Sequence, residues 1–177
     1  MKTAFLSGDK VYLRPLECED APLLVCWMND PEVTRTLNIY RPVNLRFEEE
    51  FIDKMLQSEH DLALGIVVRD TDHLIGATGL HRMDFKNRHA SFGISIGAKA
   101  EWGKGYGSEA TRLLLGYAFD TLNLNRVWLY VFEHNERGLR TYQKVGFKKE
   151  DYCARTATKQ AAITTRFSWA SCARSGG

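Results

Sequence analysis

The chain reads as one α/β domain of the α+β kind, a sandwich with a mixed sheet and not a doubly wound one. Three observations predict this. Strand-length apolar runs outnumber helical ones, and three of them follow one another mid-chain with no helix between. Helical spacing is confined to separate short segments. A glycine-dense loop, Glu101-Trp102-Gly103-Lys104-Gly105-Tyr106-Gly107-Ser108-Glu109-Ala110, stands between a strand and a helix. The order is β-α-α-β-β-β-α-β-α-β, and 177 residues suffice for one domain, 1–177, with a real core.

Val11–Pro15 alternates and predicts the first strand. Asp20 is a good N-cap for a helix over Ala21–Asn29, with Pro22 in its first turn, and Pro31 ends that helix. Thr34–Leu45 has no period and reads as a loop. Phe47, Phe51, Ile52, Met55 and Leu56 recur at helical spacing over Arg46–Gln57. Leu62–Val68 and Leu74–Leu80 are β-like runs joined through Asp70–His73, a hairpin. Asp84–Arg88 turns into the strand His89–Ile96. Behind the glycine loop, Ala110, Leu114, Ala118 and Leu122 line one helix face. The apolar run Arg126–Phe132 predicts a buried strand. Asn135 caps a short helix with Leu139, Tyr142 and Val145 on one face, Gly146 at its left-handed C-cap and Phe147 making the hydrophobic contact.

Composition excludes several classes. A net charge of +2 over 24 basic and 22 acidic residues implies no nucleic-acid surface. Cys18, Cys26, Cys153 and Cys172 form no CxxC and no metal spacing, so no metal is expected and the thiols read as reduced. No signal peptide is evident and no apolar run approaches the roughly 20 residues that span a bilayer, so a cytoplasmic protein without a membrane partner is expected.

The glycine loop carries the chemistry. Glycines at every second position let main chain approach a ligand closely, and the helix behind them aims its unpaired N–H groups at the same place. That is a seat for a diphosphate, built from the N–H groups of Gly103, Lys104, Gly105, Tyr106, Gly107 and Ser108. Lys104 adds a charge at the rim, or is simply solvated. The spacing GxGxG excludes the dinucleotide fingerprint, and no lysine closes the loop as an NTPase phosphate loop requires.

Downstream come Asn125-Arg126-Val127-Trp128-Leu129-Tyr130-Val131, then Asn135, then Tyr142-Gln143-Lys144-Val145-Gly146-Phe147. With the glycine loop, this order resembles the GNAT superfamily of acyl-CoA-dependent N-acetyltransferases, and its wording is most similar to the ribosomal-protein N-acetyltransferase (RimJ/RimL-like) branch. The match runs from about Val11 to Glu150. It implies a mixed, mostly antiparallel central sheet of about six to seven strands flanked by four helices. It also implies acetyl-CoA as cosubstrate, with an acceptor amine on a protein N-terminus or a small molecule such as a polyamine, an aminoglycoside or an amino acid. A homodimer stays open. The alternative from another class is a silent acyl-CoA-binding module, which has no use for a proton donor.

The resemblance also assigns roles. Ile94-Ser95-Ile96 should splay from Arg126–Phe132 and expose main-chain donors to the thioester carbonyl. Asn135 should hydrogen-bond the pantetheine arm or the acetyl region. Tyr142 should be the general acid for the departing thiolate, since a phenol can donate there. Relatives often place Arg or Gln where Trp102 stands, and Ser where Gly138 stands. The base is open among Glu133, His134, His81 and Asp84. The acceptor pocket should come from Asn29–Arg46 and the helix after it, with Glu48, Glu49, Glu50 and Asp53 as candidates to attract a cation. Trp27 reads as core and Tyr40 as a candidate lining residue.

After Lys149 the resemblance fades. Codons chosen for the tail can spell, one base over, G-Y-Y-D-T-I-L-M-G-I-L-R-E-E-W, a family-like ending. A single-base frameshift near Gln160 is therefore expected for 161–177, simple divergence being the alternative. Ile163, Thr165, Phe167 and Trp169 still alternate as a terminal strand would.

Overall fold

The computed structural model describes residues 3–149 and, as backbone alone, residues 160–166. Its strands are β1 (Leu6–Ser7), β2 (Val11–Pro15), β3 (Leu62–Val68), β4 (His73–Asp84), β5 (His89–Ile96), β6 (Arg126–Phe132), β7 (Lys148–Lys149) and β8 (Gln160–Arg166). They form one sheet in the order β1-β2-β3-β4-β5-β6-β8-β7. Every neighbouring pair is antiparallel except β5–β6. β1 and β7 are two residues long, so six strands carry the sheet. The helices are α1 (Ala21–Met28), α2 (Pro31–Thr34), α3 (Leu45–Gln57), α4 (Tyr106–Gly116) and α5 (Glu136–Lys144).

Most elements stand where the residue pattern places them, and the differences have physical causes. Pro31 does not merely end α1. It starts the single turn α2, because its fixed φ suits a first helical position and the Asp30 carboxylate accepts from Glu32 N at 2.8 Å. Asp20 precedes α1 as expected, yet its carboxylate makes no cap bond to that helix. Instead it takes both Arg14 amino groups, at 2.7 and 2.8 Å, and the Glu17 N–H at 2.9 Å. β6 is not buried on both faces. Val127, Leu129 and Val131 are buried, whereas Tyr130 is 55% exposed, so the aromatic residues form a second face. On α3, Ile52 and Glu48 are buried while Phe47 and Leu56 are exposed, a rotation of the stripe that the spacing suggested. Burial pushes the Glu48 carboxyl up.

Two cores flank the sheet. The larger joins Leu13, Ile66 and Phe92 of the strands to Leu114 and Ala118 behind the glycine loop and to Tyr142 and Phe147 at the end of α5. The smaller packs Leu16, Ala21, Leu24 and Ile52 with Trp27 and Ala77. Gly146 has φ +100°, and Phe147 N donates to Tyr142 O at 3.0 Å, which is the left-handed C-cap that the sequence predicts. Of the terminal alternation, Ile163 and Thr165 lie in the backbone strand β8, and Phe167 and Trp169 lie outside the described residues. The residues after Arg166, with the question of a frameshift, lie outside the described residues, as do Cys153 and Cys172.

Arg14 and Asp20 are both buried, their side chains 6% and 9% exposed. Replacing Asp20 by Ala strands a guanidinium in the interior, and the expected loss is about 3–5 kcal/mol. Urea denaturation of Asp20→Ala measures it; a loss below about 1 kcal/mol would put the pair in the class of surface contacts.

Candidate active site

The parallel pair β5–β6 holds for three registers only: His89↔Arg126, Ala90↔Val127 and Ser91↔Trp128. Beyond Ser91 the strands part, and a cleft of about 680 Å³ opens between them, a volume typical of a ligand site. Ile94, Ser95, Ile96, Trp102, Gly103, Gly105, Tyr106, Gly107, Ser108, Asn135 and Tyr142 all border this cleft. Lys104 does not; its ammonium lies 2.9 Å from Glu101 Oε2, so of that residue only the main-chain N–H remains a candidate.

At the loop, Gly103 and Gly105 have φ of +80° and +89°. A Cβ on either would meet nothing within 4 Å, so these positions need glycine for the dihedral and the space above them is open. None of the six N–H groups from Gly103 to Ser108 has an acceptor among the described residues. The first to find one is Glu109 N, which donates to Gly105 O at 3.1 Å. Six unspent donors at the positive end of an eleven-residue helix form an anion seat.

Trp102 is turned to another use. Its indole Nε1 donates to Ile96 O at 2.7 Å, tying the loop to the end of β5. The Arg137 guanidinium lies 3.8 Å over its ring. Arg137 borders the cleft and has no carboxylate within ion-pair distance among the described residues. Burial, and then the nearby Arg35, hold its pKa below the ordinary value. Sequence reasoning passed over Arg137. The available signal was a cation on the first turn after Asn135 in a chain whose loop lacks the family's Arg or Gln.

Asn135 is the N-cap of α5, its Oδ1 accepting from Gly138 N at 2.9 Å. Tyr142 sits one helix face further in, 8% exposed, edge-on to Phe92 and Phe147. Burial pushes its phenol up to about 12. The hydroxyl has no hydrogen-bond partner among the described residues.

The structure thins the candidates for a base. Asp84 is engaged with Asn87, at 2.8 and 2.7 Å, in the β4–β5 turn. His134 stacks on Phe132 and its Nε2 lies 3.1 Å from Arg35 O; neither it nor Glu133 borders the cleft. His81 does. Val33, Thr36, Leu37 and Asn38, from the segment Asn29–Arg46, also border the cleft. Glu48, Glu49, Glu50 and Asp53 do not border it, and Tyr40 is 83% exposed away from it. Trp27 packs closely on Gly97 and, partly buried, against the smaller core. The row Trp128, Tyr130 and Phe132 along one wall was missed by reading β6 as uniformly buried.

Residues 10–148 match the family model of the acetyltransferase (GNAT) domain. The chain belongs to the GNAT acetyltransferase family. It is 34% identical over 152 residues to the uncharacterized N-acetyltransferase p20 of Bacillus licheniformis, covering 82% of this chain and 83% of that one. It is 30% identical over 145 residues to the spermidine N(1)-acetyltransferase of Escherichia coli K12, covering 81% and 76%. The spermidine N-acetyltransferase of Vibrio cholerae, solved in complex with CoA and spermine, shares the fold with a TM-score of 0.78 at 22% identity over 90% of this chain and 96% of that one. The protein is an acetyl-CoA-dependent N-acetyltransferase with acetyl-CoA as cosubstrate. Among the described residues no group of side chains could hold a metal ion, and no helix is long and apolar enough to cross a membrane.

Gly105→Ala tests the seat. A Cβ at this left-handed position costs about 1–2 kcal/mol of stability, and the shifted N–H groups should raise the KM for acetyl-CoA about tenfold. Arg137→Gln should raise the same KM several-fold at unchanged melting temperature. Steady-state kinetics with thermal melts separate the two effects.

Proposed function

We propose that the cleft holds acetyl-CoA by the glycine loop, and that the acceptor is the α-amine of a protein N-terminus, as in the ribosomal-protein (RimJ/RimL-like) branch. One electrostatic observation carries the acceptor reading. Among the described residues bordering the cleft, the cations are Arg82, Arg137 and Lys144, and the only carboxylate is Glu101, already held by Lys104. A polyamine brings several ammonium groups and needs carboxylates to receive them. A peptide N-terminus brings one, and its ordinary pKa of about 7.7–8.0 makes it easier to deprotonate than an alkylamine near 10.4. The Trp128–Tyr130 pair, 5.2 Å apart and T-shaped, offers an aromatic face to a single ammonium group.

A small-molecule amine is the second reading. What favours it is that a 30%-identical relative and a structural neighbour are both named for spermidine.

Transfer proceeds by direct attack in a ternary complex. Cys18 and Cys26 are exposed, and neither borders the cleft, so no described thiol is placed to carry the acetyl group. The main chain of Ile94–Ile96 faces the thioester carbonyl, and donors aimed there are worth about 3 kcal/mol against the barrier. Asn135 presents its amide to the pantetheine arm while it caps α5. Tyr142 serves the leaving sulfur. With its phenol pushed up to about 12 by burial it stays protonated, and handing that proton fully to a thiolate is uphill. Its part is therefore a hydrogen bond that strengthens as charge builds on sulfur.

Turnover of acetyl-CoA with a panel of peptides bearing free N-termini, run beside spermidine and spermine, decides the acceptor: kcat/KM should be higher for a peptide. If only the polyamines turn over, the second reading replaces the first. Tyr142→Phe should lower kcat about a hundredfold with acetyl-CoA affinity within about twofold of wild type; an unchanged kcat removes the phenol from the chemistry.

A further inference from the structure

An amine reaches the cleft at neutral pH largely as its ammonium form and must lose a proton before it attacks. Among the described residues bordering the cleft, Glu101 and His81 have side chains able to accept one. Glu101 belongs to the diphosphate end and is held by Lys104. His81 stands at the other end. It lies on β4 opposite Ser91, the last residue of β5 that still pairs with β6.

The ring has a definite orientation. A Cβ built on Gly79 would come within 2.9 Å of His81 Nε2, and one on Gly93 within 3.7 Å. Gly79 and Gly93 are a cross-strand pair, so Nε2 lies over the first stretch of β5 past the parting. Nδ1 lies 3.4 Å from Asp61 Oδ1. Asp61 is itself fixed by the Arg82 N–H at 3.1 Å and by Ser58 Oγ at 2.8 Å. Strand alternation puts Ser91, Gly93 and Ser95 on one face and Phe92 and Ile94 on the other. Phe92 packs against Tyr142. His81 and Tyr142 thus meet the parting from opposite faces of the sheet.

We propose that His81 is the general base of the transfer, with Asp61 a positioning residue that holds the hydrogen on Nδ1 and leaves the Nε2 lone pair facing the cleft. This rests on the reading of the cleft as the acetyl-transfer site. The amine loses its proton to Nε2 and its nitrogen bonds to the acetyl carbonyl carbon. The C–S bond breaks, and its electron pair leaves with sulfur as a thiolate held by the Tyr142 hydroxyl. As the adduct collapses, the nitrogen releases its second proton to solvent; the thiolate takes one proton from solvent on release, and His81 returns its own, so each ammonium acetylated releases one proton net. Besides Glu101, the other titratable groups bordering the cleft are Arg82 beside His81 on β4, Tyr106 on α4, Tyr130 on β6, and Arg137, Tyr142 and Lys144 on α5. Arginine, lysine and tyrosine side chains are already protonated at neutral pH and cannot take the role.

The test compares wild type, His81→Gln and Asp61→Asn by kcat, by the pH profile of kcat/KM and by calorimetric affinity for acetyl-CoA. His81→Gln should lower kcat by about 10²–10⁴-fold, keep acetyl-CoA affinity within about twofold and lose the acid limb of the profile. Asp61→Asn should lower kcat about tenfold and move that limb without abolishing it. Added imidazole should restore part of the activity of His81→Ala. A His81→Gln enzyme that binds acetyl-CoA normally and keeps the wild-type kcat and acid limb overturns the assignment alone. A wild type that binds no acetyl-CoA overturns the reading of the cleft and this proposal with it.

Discussion

The parting of β5 from β6 after three shared registers is the constraint on which the site depends. β5 stays in register with β4 from Ser91 to Ile96, beyond a register shift between His81 and Asp84, and β6 stays in register with β8 along its whole length. Each strand is anchored on its far side, so the near edges can separate without either strand dissolving. Main-chain donors and acceptors left on those edges would cost about 1–3 kcal/mol each if sealed from water. Here they face an open cleft, where water or the amides of a bound ligand can satisfy them. One of them is met internally: Trp102 Nε1 donates to Ile96 O. Phe92, the first residue past the last shared register, packs with Tyr142 and Phe147. That aromatic group fills one side of the parting and packs α5 against it.

The glycine loop keeps its aim because its ends are tied to elements remote in sequence. Glu109, in the first turn of α4, accepts from Lys10 N at 2.8 Å and is packed so closely on Gly8 that a Cβ there would sit 2.2 Å from its carboxylate. Lys99, just ahead of the loop, bridges Asp30 at 2.8 Å and Glu32 at 3.1 Å across to α2. Exposed pairs like these add little stability. Their value is positional, since they fix the loop against both the first strands and the segment that brings Val33, Thr36 and Asn38 to the cleft. Donors held in place before the ligand arrives need no reorganisation when charge develops.

Local rules made much of this legible in the sequence. Alternation located the strands, and glycine spacing before a helix located the loop whose N–H groups from Gly103 to Ser108 are left without acceptors among the described residues. The pair Gly146-Phe147 located the end of α5, because a left-handed cap has few solutions. Non-local matters were not legible. Which face of Arg126–Phe132 looks into solvent depends on where β5 parts from it, so Trp128 and Tyr130 read as core. Asp20 looked like a cap because nothing near it in sequence announces that Arg14 will reach it from β2. His81 could not be separated from Asp84 and His134, since all three are polar residues near turns or strand ends. Only the pairing of His81 with Ser91 sets it at the parting.

The two departures from the family's loop and helix wording meet in one place. By the resemblance, Trp102 stands where family glycine loops often place Arg or Gln, and Gly138 where many relatives carry Ser. Both touch the first turn of α5. Trp102 cannot hydrogen-bond a phosphate with its ring face, but that face seats the Arg137 guanidinium at 3.8 Å and so returns a cation to the rim. Gly138 has no side chain, and a Cβ there would fall 2.6 Å from Asn135 Nδ2. Its absence lets the Asn135 amide fold back over the helix end and accept from Gly138 N. A serine at 138 would have to displace that amide, just as an arginine at 102 would remove the platform under Arg137. The glycine-loop end of the cleft is therefore a set of matched residues, in which changing one position alone disturbs its partner.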